Sequence, residues 1–180
     1  LDNKATRRDF DKIGKKEPFK PLSPNALQGG KNFDKNLTTA EFELLWLLVQ
    51  HPGLGAGLSA ILLPEWLDLT DGHGKLLNAI LAESSEGTWE GLASVDALGL
   101  PEEERTLLMG LAARPLPHDE PHKIANDALR AIFTKYIERA KNELKQQLQN
   151  ARDEASQAEL LKKQQNLLIL QKKIPSLPHG

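Results

Sequence analysis

Cysteine is absent from this 180-residue sequence, which excludes disulfide bonds, thiolate zinc sites and a cysteine nucleophile. Long apolar runs are also absent: the longest covers residues 44–49, far fewer than the roughly 20 that span a membrane. The N-terminus has no apolar signal segment. We therefore expect a soluble, cytoplasmic protein without a membrane contact. Because the chain begins at Leu1 rather than methionine, we also expect a fragment of a longer protein.

Charge is unevenly distributed along the chain, although the net charge is only -2. Residues 1–35 carry nine Lys or Arg against five Asp or Glu, residues 36–122 carry three against fourteen, and residues 123–180 carry eleven against six. An acidic middle is a poor platform for phosphate groups, since nucleic-acid contacts need clustered cations. DNA binding is therefore expected to be weak at most and to use the basic flanks; a solvated surface without a functional meaning is an equal alternative.

Residues 1–37 are predicted to form a basic, flexible linker or arm. They are rich in Lys, Pro, Gly and Asn and have no sustained apolar periodicity. Such a segment cannot bury enough apolar surface to offset the entropy of ordering it. Tethering is the expected role, and a docking motif or nucleic-acid contact through its phenylalanines is the alternative.

Residues 38–138 are predicted to form a compact helical bundle. The first helix should begin at a capping box, in which the Thr38 hydroxyl accepts from a backbone amide and Glu41 reaches back. It should end at His51, because Pro52 disfavours helical geometry in the residue before it. Its apolar residues cover almost all sides, as expected at the centre of a bundle. Further short helices are predicted over residues 54–63, from residue 71, over residues 88–99 and from residue 101.

Residues 139–174 are predicted to form a protruding antiparallel helical hairpin, followed by a tail at 175–180. Helical spacing is sustained from Lys123 to Arg152, so one long helix should pack on the bundle and then leave it. After a tight turn, a second capping box from Ser156 to Glu159 should begin the last helix. The predicted fold class is therefore all-α: a compact helical bundle, a protruding hairpin and an extended or disordered N-terminal arm.

The last helix carries more apolar surface than the seam of a two-helix hairpin can cover. Exposed apolar strips with a charged rim are typical of interfaces, so we predict a protein partner here. Packing back on the bundle, or dimerisation, is the alternative, and some of the leucines must close the hairpin. The predicted anchors are Leu160, Leu167, Leu168, Leu170 and Ile174, with Gln164, Gln171, Lys172 and Lys173 as the polar rim.

No motif indicates catalysis, a metal site or a cofactor. In HDEPH the glutamate is misplaced for a zinc-protease helix and Pro121 keeps His118 and His122 off one helix face, so a helix start capped by Asp119 explains the string better. The glycines of GLGAG follow no predicted strand and precede no Lys-Ser/Thr pair. We expect no catalytic residue, no metal, no cofactor and no small-molecule substrate.

Three segments, in this order, carry a family resemblance: EFELLWLLVQHPGL, LPEWLDLTDGHGKLLNAILAE and, after a long helix, NELKQQLQNARDEASQAELLKKQQNLLILQKK. Over residues 38–174 they resemble the C-terminal helicase-binding domain of bacterial DnaG-type primases. The resemblance implies a hairpin that docks on the N-terminal domain of the hexameric replicative helicase (DnaB-type), and a bundle that modulates the helicase during primer synthesis. The family's catalytic acidic cluster and zinc ribbon are absent from this sequence. The resemblance therefore implies a domain that does not itself make primers.

Two other functions remain as alternatives. The N-terminal domain of the replicative helicase itself is similar in fold, but it should lead into a linker and an ATPase with a phosphate loop. A small helical nucleic-acid-binding domain would use the basic arm together with Lys162, Lys163, Lys172 and Lys173, and its binding should fall steeply with salt.

Overall fold

The computed structural model describes residues 39–115 and 120–178, and within these ranges the protein is all-α, as predicted. The predicted arm and Thr38 lie outside the described residues. Short 3-10 turns at Pro52–Leu54, Pro64–Trp66 and Gly91–Ser94 connect some of the helices. The described part contains six α-helices: α1 (Ala40–Gln50), α2 (Gly55–Ile61), α3 (Gly72–Glu86), α4 (Glu102–Ala112), α5 (Pro121–Asn150) and α6 (Glu154–Gln171).

Helix α1 is the centre of the bundle and contacts α3, α4 and α5. Because neighbours surround it, the leucines on several of its sides are fully buried. Burying one leucine contributes roughly 1.5–3 kcal/mol relative to leaving it exposed, so this short helix supplies a large part of the core. Its fully buried side chains are Leu44, Leu45, Leu47 and Leu48.

The predicted capping box of α1 was wrong. The N-cap is Thr39, whose Oγ1 accepts from the Phe42 backbone N–H at 3.2 Å. Glu41 is 2% exposed, and its Oε1 lies 3.6 Å from Nζ of Lys135 on α5, within ion-pair range but too far for a hydrogen bond. The predicted end of α1 is confirmed, since the helix stops at Gln50 and is capped by His51.

The predicted helix over residues 88–99 is also wrong: only a 3-10 turn, Gly91–Ser94, forms there. Gly91 has a φ of 72°, and a Cβ on it would lie 2.9 Å from the carbonyl oxygen of Val49. The Ser94 Oγ accepts from the Glu90 N–H and donates to the Thr88 carbonyl, which holds the chain in a turn. Close packing against α1 therefore overrides the helical pattern of this segment.

Helix α5 joins the bundle to the hairpin. Its first half packs on α1 through buried apolar residues, and Phe133 meets the Trp66 ring edge to face at a centroid distance of 4.9 Å. The last buried residue of α5 is Ile137, and none of residues 138–150 is buried. The C-terminal half of this helix therefore lies beyond the core of the bundle. The buried residues of α5 are Ala125, Ala128, Leu129, Ile132, Phe133 and Ile137.

The residues after α6 return to the bundle, and we call residues 172–178 the C-terminal strap. The Leu177 side chain is buried, and its backbone N–H donates to Oδ1 of Asn126 at 2.7 Å. Its Cδ2 lies so near α2 that a Cβ on Gly57 would be 3.0 Å away. The strap thus fastens the end of the hairpin to α2 and α5, although the sequence indicated only a tail at 175–180.

Shortening Leu177 to alanine should lower the free energy of unfolding by about 2–3 kcal/mol, because the substitution leaves a cavity between α2 and α5. Denaturant unfolding followed by circular dichroism measures the change. The matched control is Ile174→Ala on the same strap, where the side chain is 62% exposed. Its effect should stay within about 0.5 kcal/mol; equal effects of the two substitutions would contradict a fastened strap.

A pH effect should arise where α1 meets α5. Burial, together with the nearby carboxylate of Asp127, raises the pKa of Glu43 above its ordinary value of 4.5. A carboxyl whose pKa is raised by folding weakens the folded state as pH rises through the ordinary and then the folded pKa. The ionised Glu43 side chain therefore destabilises the folded state at pH 7, and this destabilisation is absent below about pH 4.

Replacing Asp127 with asparagine should lower the pKa of Glu43, measured by an NMR titration of its side-chain carboxyl carbon. The melting temperature should rise at pH 7 and stay nearly unchanged at pH 3, where Glu43 is protonated. Glu138→Gln removes the same charge from an exposed position on α5 and should leave the pKa of Glu43 unaltered. An unchanged Glu43 pKa in Asp127→Asn would disprove the coupling.

Candidate partner-binding surface

The hairpin is formed by the C-terminal half of α5, a turn at residues 151–153, and α6, which packs back on α5. Asp153 is the N-cap of α6: its Oδ1 accepts from the Ser156 N–H at 2.7 Å, and this hydrogen bonding lowers the pKa of Asp153. The Gln157 side chain donates to the Ala151 carbonyl at 3.1 Å and also fixes the turn. The structure places the helix start at Glu154, so the predicted capping box from Ser156 was wrong.

Glu159, the second residue of that predicted capping box, has a different role. Glu159 Oε1 lies 2.9 Å from Nζ of Lys163, one helical turn further on, and this contact lowers the pKa of Glu159. Both side chains are exposed, so the ion pair stabilises α6 only slightly. The start of the helix therefore depends on Asp153 rather than on Glu159.

The seam between α5 and α6 takes up some of the predicted anchors. Leu167 is 7% exposed, and Leu170 is half-buried against the core together with Leu144 of α5. Leu160 is half-buried nearer the start of α6. Leu167 and Leu170 thus close the hairpin. The sequence had indicated that some of the predicted anchors would do so, but not which ones.

A second face of α6 leaves large apolar side chains in solvent. Leu161, Leu168 and Ile169, which we call the outer ridge, are 50%, 47% and 57% exposed. Leu161 and Leu168 are seven residues apart, so they share one side of the helix. Only Leu168 was among the predicted anchors. The sequence carried a signal for the other two, since Leu161 adjoins the predicted anchor Leu160 and Ile169 lies in the apolar run 167–170.

The remaining predicted residues lie between the middle of α6 and the strap. Ile174 is exposed but stands on the strap, three residues beyond the helix, so its heptad spacing with Leu160 and Leu167 has no helical meaning. Gln171 accepts from Nζ of Lys141 at 2.7 Å, and Gln164 is exposed beside α5. Lys172 and Lys173 are exposed where the helix ends.

A groove of about 460 Å³ lies between α5 and α6, and we call it the hairpin groove. The predicted set includes Gln164, Leu167 and Leu168 of its α6 wall, but no residue of its α5 wall. The α5 positions could have been found from their spacing of three and four, which places them on one face. Its apolar side chains are Leu144, Leu148, Leu167 and Leu168, and its polar lining includes Lys141, Lys145 and Gln164.

The two parts of the described chain differ in charge. Residues 39–115 contain three Lys or Arg against twelve Asp or Glu, whereas residues 139–174 contain eight against four. The basic hairpin also leaves large apolar side chains exposed. This combination of apolar and cationic surface fits a protein partner that carries acidic side chains.

Within residues 39–115 and 120–178, no three His, Cys, Asp or Glu side chains group as ligands of a metal ion would. His118 and Asp119 lie outside these ranges. The GLGAG glycines form a 3-10 turn and the start of α2, without a preceding strand.

None of the described helices is by itself long and apolar enough to cross a membrane. Ala40–Gln50 and Pro52–Ile61 have the necessary length and apolar composition only as a pair, which is bent by 118°. Most of the apolar side chains of α1 are buried in the bundle.

No protein-family model, curated protein or solved structure matches this chain. The function is therefore inferred from the hairpin itself.

Neighbouring leucines on α6 should behave differently when each is shortened to alanine. Leu167→Ala should lower the free energy of unfolding by about 2 kcal/mol, because Leu167 fills the seam. Leu168→Ala should change it by less than about 0.5 kcal/mol, because that side chain is half in solvent. Guanidinium unfolding of the two variants provides the comparison, and a larger loss for Leu168→Ala would reverse our assignment of the two faces.

Proposed function

We propose that this chain is a non-catalytic interaction domain that docks a bacterial DNA primase on the N-terminal domain of the hexameric replicative helicase. The observation that carries the proposal is the helical bundle that ends in an antiparallel hairpin with an apolar outer ridge. It agrees with the order of elements in the primase family that the sequence resembles. In this proposal the domain acts in the cytoplasm at the replication fork, and primer synthesis belongs to other parts of the parent protein.

The outer ridge is suited to supply binding energy. Removing a leucine or isoleucine side chain from water contributes roughly 1.5–3 kcal/mol, and Leu161, Leu168 and Ile169 are each about half exposed. A few such side chains commonly dominate the affinity of a protein interface. Gln164, Gln171, Lys172 and Lys173 would surround them as the polar rim. The expected contact area thus extends from the middle of α6 to the strap.

The bundle would modulate the helicase rather than bind DNA. Its surface between residues 39 and 115 carries a large excess of carboxylates, which repel the phosphate backbone. The basic hairpin favours nucleic acid as a second candidate partner. Residues 139–178 contain no Phe, Tyr, Trp or His on which bases could stack, so a protein partner fits this surface better.

The test is calorimetric titration of the full chain into the N-terminal domain of the replicative helicase from the same organism. Saturable binding is expected, with little binding to duplex or single-stranded DNA at physiological salt. Binding to DNA without binding to the helicase domain would favour the nucleic-acid alternative and contradict the proposal.

Leu168→Asp should weaken helicase binding at least tenfold, because it places a carboxylate in the apolar part of the interface, and should leave thermal unfolding nearly unchanged. The control is Leu63→Asp, since Leu63 of the bundle is 46% exposed and Leu168 is 47% exposed. Leu63→Asp should bind like the unmodified chain. A parallel loss of binding and stability in Leu168→Asp would mean that Leu168 is structural.

A further inference from the structure

We infer that the hairpin groove binds an amphipathic helix of the partner, with apolar side chains between α5 and α6 and carboxylates facing Lys141 and Lys145. The inference deepens the proposed function and rests on it for the identity of the partner protein. It assigns a function to the α5 wall of the hairpin, which the outer ridge does not include.

The α5 wall has the spacing of one continuous helix face. Lys141, Leu144, Lys145 and Leu148 follow one another at intervals of three, one and three residues, so they line the same side over two turns. Leu144 and Leu148 are half-buried, and Leu168 on the α6 wall is exposed. An apolar floor therefore runs along the hairpin rather than ending in a closed pocket.

A third helix is the element that best completes this arrangement. Two antiparallel helices bury one seam, and a further helix laid along them extends the packing of a helical bundle. Helices that dock in such grooves use apolar side chains at intervals of three and four residues.

The two lysines that border the hairpin groove, Lys141 and Lys145, favour an acidic helix. Lys145 makes no ion pair with any residue that the structure describes, and the Lys141 ammonium donates only to the neutral amide oxygen of Gln171. An acidic partner would supply the missing counter-charges, and carboxylates spaced by four residues would match the two lysines. A nucleic acid would meet a leucine floor without an aromatic side chain, which offers its bases nothing to stack on.

The direct test uses two 18-residue helical peptides with the same row of leucines, flanked by glutamates in one and by lysines in the other. Each is titrated into the full chain while the leucine methyl resonances are followed by NMR. The glutamate peptide should shift Leu144, Leu148 and Leu168 saturably, with an affinity that falls at least tenfold as salt rises. The lysine peptide should not. Equal shifts by both peptides, or none by either, would overturn the inference, as would a single-stranded oligonucleotide that shifts the same methyls.

Charge reversal of a lysine beside the groove, and of one away from it, provides the matched variants. Lys145→Glu should weaken binding of the glutamate peptide at least tenfold and improve binding of the lysine peptide. Lys162→Glu makes the same change in net charge on the side of α6 opposite Gln164, and it should alter neither affinity. Equal effects of the two variants would show attraction by overall charge and not by the groove.

The helicase domain then separates this inference from the proposed function. If Lys145→Glu leaves helicase binding unaffected and neither peptide binds, the inference about the groove is wrong and the proposed function still holds. Peptide binding as expected, without helicase binding, would support the groove and contradict the proposed partner.

Discussion

The packing of α1 against the first half of α5 is the interaction on which the rest of the structure depends. It buries the leucines of α1 on one side and Leu129, Ile132 and Phe133 on the other. Helix α5 is about 45 Å long, from its 30 residues, but its buried side chains end at Ile137. The bundle therefore directs the remaining turns of α5 away from the core, where α6 provides their main cover.

The hairpin is consequently less well buried than the bundle. Leu167 is the one buried residue of α6, and the strap adds Leu177, which is fastened to Asn126. An element with so few buried contacts opens more easily than a core helix, and such elements are common in binding regions. The exposed outer ridge and the hairpin groove follow from the same cause, since two helices cannot cover all the apolar side chains that α6 carries.

The sequence predicts the long helices because apolar periodicity and proline act on neighbouring residues of the chain. Pro52 predicts the end of α1, and sustained helical spacing predicts the length of α5. The caps were misassigned because several nearby Thr, Ser and Asp residues could each cap a helix start: the N-caps are Thr39 and Asp153, where Thr38 and Ser156 were predicted. These choices depend on backbone geometry at single residues, which the pattern of residues does not specify.

Contacts between distant residues explain the other differences. The close approach of Gly91 to Val49 prevents a helix over residues 88–99, and no local pattern signals it. Leu177 stands between two prolines and has no periodic neighbours, so its burial could not be predicted. Leu167 and Leu168 are adjacent in the same apolar run, and only the position of α5 determines which one closes the seam.

Docking through the hairpin is tested most directly by hydrogen exchange of the full chain, alone and in complex with the replicative helicase. The helicase should slow exchange in α6 and in the facing turns of α5, with smaller changes in α1 and α3. Slower exchange confined to the bundle, with α6 unchanged, would contradict the assignment of the hairpin as the docking element.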